Sequence, residues 1–160
     1  MAEMREKLRH YLNIGSATTA SYVLIGDGVT SLTEEFNAET ETKQYINQAN
    51  GTTNVKSYTP SIAVEKEYIK DEQLQAWLDN MVKLLPTGSD ADADYIRLNI
   101  FDTTVTASVY NAVKRKCTIS IDSVGGDAGS ELVTAFTIGG KGDGVQGTFN
   151  VSTGVFTTNS

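Results

Sequence analysis

Basic charge, cysteine, histidine, proline and long apolar runs are all scarce in this chain of 160 residues. Lys and Arg number 13 against 20 Asp and Glu, a formal net charge of −7. A balance of that sign repels phosphate backbones, which argues against a nucleic-acid-binding surface on the chain as a whole. Cys117 is the lone cysteine, which excludes an intramolecular disulfide and a multi-cysteine zinc site. No apolar stretch approaches the ~20 residues that a membrane helix needs. The opening Met-Ala-Glu-Met-Arg-Glu-Lys-Leu-Arg-His-Tyr-Leu is too charged for the apolar core of a signal peptide. The expectation is a protein made in a cytoplasm that stays soluble, away from membranes, until it meets a partner.

What the chain does have is glycine, threonine and alternation. With 39% hydrophobic residues and 14 glycines, it suits a sheet-rich domain with tight turns better than a helical bundle. Its length fits a single domain over residues 1–160. Residues 1–17 mix charges with Leu8, Tyr11, Leu12 and Ile14 and read as a short helix or a docking arm. Thr18–Ile25 is a strand candidate that stops at Gly26-Asp27-Gly28, and Ser31–Asn37 suits one helical turn. Glu39–Ile46 and Val55–Tyr68 read as two long antiparallel strands joined by a polar, exposed loop, Asn47–Asn54. Within that loop Asn50-Gly51 favours a hairpin turn, while Pro60 marks an edge or a bend in the second strand.

One helix stands out, Asp71–Leu85. Leu74, Trp77, Leu78, Met81, Val82 and Leu85 recur at steps that lay down one apolar stripe. Asp71 is placed to cap it and Pro86 to stop it. Further on, Tyr95–Phe101, Val113–Ile121, Leu132–Ile138, Val145–Val151 and Val155–Thr158 alternate apolar with polar residues, the signature of strands buried on one face. The predicted architecture is mainly β, a β-sandwich or partial barrel with one flanking helix.

No set of residues with catalytic chemistry survives inspection. Asp90, Asp92 and Asp94 open like a calcium loop, but Tyr95 and Phe101 occupy its required Gly and Glu positions. Gly139-Gly-Lys-Gly-Asp-Gly144 superficially resembles a phosphate loop, yet Ala135 and Gly142 fall where Gly and Ser/Thr belong. It reads as a hairpin turn that needs glycine dihedrals. His10 and Cys117 have no reason to meet, and Cys117 lies with the apolar residues of its strand. Strand alternation splits Lys114-Arg115-Lys116 between two faces, which suits pairing with acidic neighbours. The residues predict a non-enzyme without cofactor or metal.

The C-terminal block Phe136-Thr-Ile-Gly-Gly-Lys-Gly-Asp-Gly-Val-Gln-Gly-Thr-Phe-Asn-Val-Ser-Thr-Gly-Val-Phe-Thr157 resembles the end of siphophage major tail proteins, the tail-tube family. Leu8-Arg-His-Tyr-Leu12, Val23-Leu-Ile-Gly-Asp-Gly-Val-Thr-Ser-Leu32 and Tyr45-Ile-Asn-Gln-Ala-Asn-Gly51 look like the same family in phages and prophages of Gram-positive bacteria. The resemblance implies a structural protein of the virion tail, with the tail-tube β-sandwich fold. Its copies would form hexameric rings that stack into a hollow tube and conduct DNA without binding it specifically. The implied partners are further copies of itself, a tape-measure protein, and tail terminator and tail tip proteins. On this reading Glu39, Glu41, Glu65 and Glu67 are candidates for an acidic lumen. Leu8, Tyr11, Leu12, Gln48, Asn50, Thr52 and Asn54 are candidates for ring-to-ring contacts, from the arm and the 47–54 loop. Two alternatives stay open. One is the inner tube of a contractile tail or related injection system. The other is a monomeric carbohydrate-binding β-sandwich, which the scattered aromatics and the helical Trp77 disfavour.

Overall fold

A computed structural model describes residues 2–15, 18–104 and 106–158, with the side chains of Asp102 and Thr103 left out. Within these residues the chain is mainly β with one α-helix. The strands are β1 (Leu8–Asn13), β2 (Tyr22–Leu24), β3 (Leu32–Glu35), β4 (Glu39–Lys43), β5 (Thr52–Ser57) and β6 (Ser61–Glu67). After the helix α1 (Gln73–Leu84) come β7 (Asp92–Thr103), β8 (Val109–Gly125), β9 (Val133–Asn150) and β10 (Val155–Thr158). Eight strands form one antiparallel sheet in the order β2-β1-β7-β8-β9-β6-β3, with β10 also on β9, while β4 and β5 pair only with each other.

That sheet behaves as two layers because β8 and β9 are long enough to serve both. The first half of β9 pairs with β6 from Val133 to Gly139, and its last four residues pair with β10 on the same side. One layer is therefore β3-β6-β9-β8, and the other is β10-β9-β8-β7-β1-β2. Between them lies a core of Leu12, Ile62, Val64, Tyr95, Cys117, Ile119, Phe136 and Ile138, covered by Leu74, Leu78 and Met81 of α1. Tyr95 and its neighbour Ile96 are both buried, so β7 is covered on both faces. The second face holds a smaller cluster of Ile96, Leu98, Ala112 and Phe149, flanked by Tyr11, Tyr22 and Phe156.

The Gly139–Gly144 run is the hinge. It is no hairpin turn but a bulge inside β9: Lys141 lies opposite Lys116 and Val145 opposite Lys114, so the run carries two extra residues. Gly142 has φ 75°, and Arg115 Nη1 donates 2.8 Å to its carbonyl. Alternation alone cannot distinguish such a bulge from a turn, because both demand glycine.

Buried polar groups tie the parts together. Lys66 faces the core, wholly buried, with Nζ 2.7 Å from Glu72 Oε1 and 3.3 Å from the Glu67 carbonyl oxygen. This pairing explains the start of α1. Glu72 holds the position before the helix without capping it, its carboxylate being engaged by Lys66, and Asp71 sits in the left-handed region at φ 68°. The expected Asp71 cap is thus replaced by an ion pair that staples the helix to β6. At the other end Leu85 adopts φ 46° just before Pro86, and its side chain is exposed rather than part of the stripe.

Three further expectations change. Residues 8–13 are no free arm: β1 has β2 on one side and β7 on the other. Residues 16 and 17, at the end of the expected arm, lie outside the described residues. The expected helical turn at Ser31–Asn37 is β3, whose buried Leu32 pairs with Val64 across to β6. The long strand expected over Val55–Tyr68 is broken at Tyr58–Pro60 into β5 and β6, so the early loop is the end of a separate hairpin.

Gly147 tests the layer closed by β10. A Cβ there would sit 2.6 Å from Phe156 Cζ and against the Thr157 carbonyl, whereas at Gly139 the nearest atom is 3.5 Å away. Gly147→Ala is expected to cost about 1–3 kcal/mol. Gly139→Ala should move the urea midpoint far less, and equal shifts for the two would contradict this packing.

Candidate assembly surfaces

Strand register places the side chains of the β3-β6-β9-β8 layer in rows on its outward face. One row is Glu35, Ser61, Gly139 and Thr118; the next is Thr33, Ala63, Thr137 and Ser120. Then follow Glu65, Ala135 and Ser123, and last Glu67, Val133 and Gly125. Asp122 lies in a bulge beside these rows and accepts 2.6 Å from Thr137 Oγ1. These rows hold carboxylates and small residues, with no Lys or Arg; Lys66 of the same strand points inward. Neither border of the layer has a strand partner among the described residues, although the Gly88–Ala91 turn lies beside Thr118–Ile121 of β8. The far edge of β3 pairs with no described strand, and β8 beyond Thr118 has β9 on one side only.

Glu34 locks this layer to the other. Its carboxylate, almost completely buried, lies 3.2 Å from Arg97 Nε of β7 and 3.6 Å from His10 Nε2 of β1. The Arg97 N–H is not aligned for a hydrogen bond, so charge attraction carries the contact. His10 is fully buried and adds to it when its ring is protonated. Nothing in the local sequence pattern marks Glu34, because its partners are distant in the chain.

The β4–β5 hairpin stands apart. Asn37, at φ 49°, pins its root by donating from Nδ2 to the Thr59 carbonyl and the Ser61 hydroxyl. Its tip reverses over Tyr45–Gln48, where the Gln48 N–H donates 3.0 Å to the Tyr45 carbonyl. Thr42 and Thr53 hydroxyls meet at 2.9 Å across the strands. Tyr45, Ile46, Val55 and Tyr58 are all exposed, and Ile46 is completely so. An isolated two-stranded hairpin is marginal in water, and one this apolar is suited to a covering partner.

The expected lumen residues divide accordingly. Glu65 and Glu67 lie on the acidic rows, while Glu39 and Glu41 belong to the hairpin beside Lys56 and Lys43 at 3.9 and 3.4 Å. Sequence spacing missed Glu35 and Asp122, which only register brings to the same face. Among the ring-contact candidates, Gln48 and Asn50 lie at the hairpin tip, and Thr52 and Asn54 on β5, all exposed. Leu12 is completely buried in the core, so its side chain offers nothing to another ring. Leu8 is half-buried, and Tyr11 packs on Phe149 with ring centroids 4.8 Å apart. Asp92, from the rejected calcium pattern, instead binds Lys141 at 3.0 Å, and Lys114 lies over the Phe156 ring.

No protein-family model and no curated protein matches the chain. Solved structures do. A chain from the tail of an empty gene transfer agent particle, refined helically with C6 symmetry, superposes with a TM-score of 0.63 at 16% identity, covering 89% of this chain and 97% of that one. The chain has the fold of a phage-like tail subunit. A chain from the virion of a native gene transfer agent gives 0.60 at 14% identity, covering 98% of this chain and all of that one. A third, from the six-fold symmetrised baseplate of the anti-feeding prophage, gives 0.50 at 11%, covering 91% and 95%. At such identities the likeness establishes the shared fold.

Burial also sets an alkaline limit. It pushes the Cys117 thiol from 9.0 up to about 12, helped by Asp94 and Asp92. Burial likewise raises the Tyr95 phenol to about 12, helped by Glu34, and the Tyr22 phenol to about 12, helped by Asp94. The unfolded chain ionises first, so folded stability holds below pH 9 and falls as pH rises through the ordinary thiol value and then past 10. Urea midpoints from pH 7 to 11 check this; a flat profile across that range would contradict the burial of these groups.

Proposed function

We propose that the chain is a tail-tube subunit. Six copies join the free edge of β3 to the free edge of β8 in the next copy, closing their four-stranded layers into one barrel around a channel. The observation that carries this is the combination of two edges without a strand partner among the described residues and four outward rows of carboxylates and small residues, with cations only beyond them at Lys116 and at Lys141, which Asp92 pairs. Edge pairing completes the backbone hydrogen bonds that an isolated subunit leaves open. The acidic face, with Glu35, Glu65, Glu67 and Asp122, repels the phosphates of passing DNA, which leaves the nucleic acid free to slide.

The β4–β5 hairpin serves the second, axial contact that rings need in order to stack. The fold shared with a chain from a gene transfer agent tail of C6 symmetry supports this reading, as does the sequence resemblance to siphophage major tail proteins. The tail is then non-contractile, and the chain contacts a tape-measure protein within and terminator and tip proteins at its ends.

Two substitutions separate the parts. Ile46→Asp should leave rings that no longer stack, read as short discs in electron micrographs. Glu65→Lys with Glu67→Lys should still give tubes, while particles carrying it deliver DNA less efficiently. Full-length tubes from Ile46→Asp would remove the hairpin from the axial contact, and undiminished delivery by the lysine variant would remove the acidic face from the channel.

A further inference from the structure

The register of the acidic layer gives it two unlike ends. At the Glu35–Ser61 end the chain leaves β3 for the hairpin and returns through Tyr58–Pro60, beside the Gly139–Gly144 bulge. At the Glu67–Val133 end it closes the turn from Gly125 to Leu132. Between hairpin root and bulge lies an open cavity of about 760 Å³, lined by Phe36, Lys56, Tyr58, Arg115, Gly142 and Asp143 among others. Phe36 and Tyr58 are exposed there. The charges facing it are Lys56, reaching 3.9 Å to Glu39, Arg115, bound to the Gly142 carbonyl, and the opposing Asp143.

The opposite end is its complement. Val124-Gly-Gly-Asp-Ala-Gly-Ser-Glu-Leu132 carries Asp127 and Glu131 with no cation, and its flanking Val124 and Leu132 are exposed. Glu67 stands next to it, paired with Val133, and the Tyr68 N–H donates to the Leu132 carbonyl. We infer that the cavity at the hairpin root receives the Gly125–Leu132 turn of a second copy of this chain, one ring along. Lys56 and Arg115 meet Asp127 and Glu131, while Phe36 and Tyr58 cover Leu132. This rests on the tube reading, since head-to-tail stacking is what brings the two unlike ends together. It also gives the stack a polarity: two like ends would set acid against acid.

The test is a charge exchange between exposed residues, followed by sedimentation and electron microscopy. Lys56→Glu alone and Glu131→Lys alone should each raise the concentration needed for tube formation by about tenfold. The double variant should recover most of it. A chain carrying both Ser57→Cys and Ala128→Cys should give covalent ladders on mild oxidation of tubes, and none from unassembled protein. Unchanged assembly by both single variants, or ladders that appear only when Ile46→Cys replaces Ser57→Cys, would overturn this contact and leave the tube itself standing. Wild-type protein that stays monomeric at every concentration would overturn the tube reading instead.

Discussion

Everything in this fold depends on β9 belonging to two layers at once. This eighteen-residue strand pairs with β6 and then with β10 on the same side, and a bulge interrupts it between the two pairings. The bend needs extra residues, a positive φ and room for Arg115 to reach a backbone carbonyl, and the Gly139–Gly144 run supplies all three. Fixing the bend sets which residues of β8 and β9 face the core and which face out. It thereby determines the acidic rows, the exposed bulge and the cavity at the hairpin root.

Charge then fixes how the pieces sit on that frame. Lys66 with Glu72 anchors the helix to the acidic layer, and Glu34 with Arg97 and His10 anchors that layer to the other. Neither is an efficient source of stability, because burying charge costs nearly as much as pairing returns. Their value lies in specificity: an alternative packing that separated either pair would strand a charge in the core. The acidic rows obey the opposite rule, since their carboxylates stay in water in rows that carry no counter-charge of their own.

Much of this was legible in the chain. Alternation found the later strands, periodicity found the helix within two residues at either end, and Pro60 marked the break between β5 and β6. Three things were not legible, each for a physical reason. Glycine clusters mark bulges and turns alike, so the central bend of β9 read as a hairpin. Leu8–Asn13 read as an arm because charged residues precede it, though it is a sheet strand with a buried histidine. The acidic face depends on register between strands far apart in sequence: Glu65 and Glu67 were visible from their spacing, whereas Glu35 and Asp122 were not.

The central claim is that the β3-β6-β9-β8 face lines a channel in a closed ring. A helical reconstruction of tubes assembled from the purified protein tests it most directly. The account predicts six subunits per ring, β3 of one copy paired with β8 of the next, and Glu35, Glu65 and Glu67 on the channel wall. A reconstruction with those carboxylates on the outer surface, or with β3 unpaired at the subunit boundary, would contradict it.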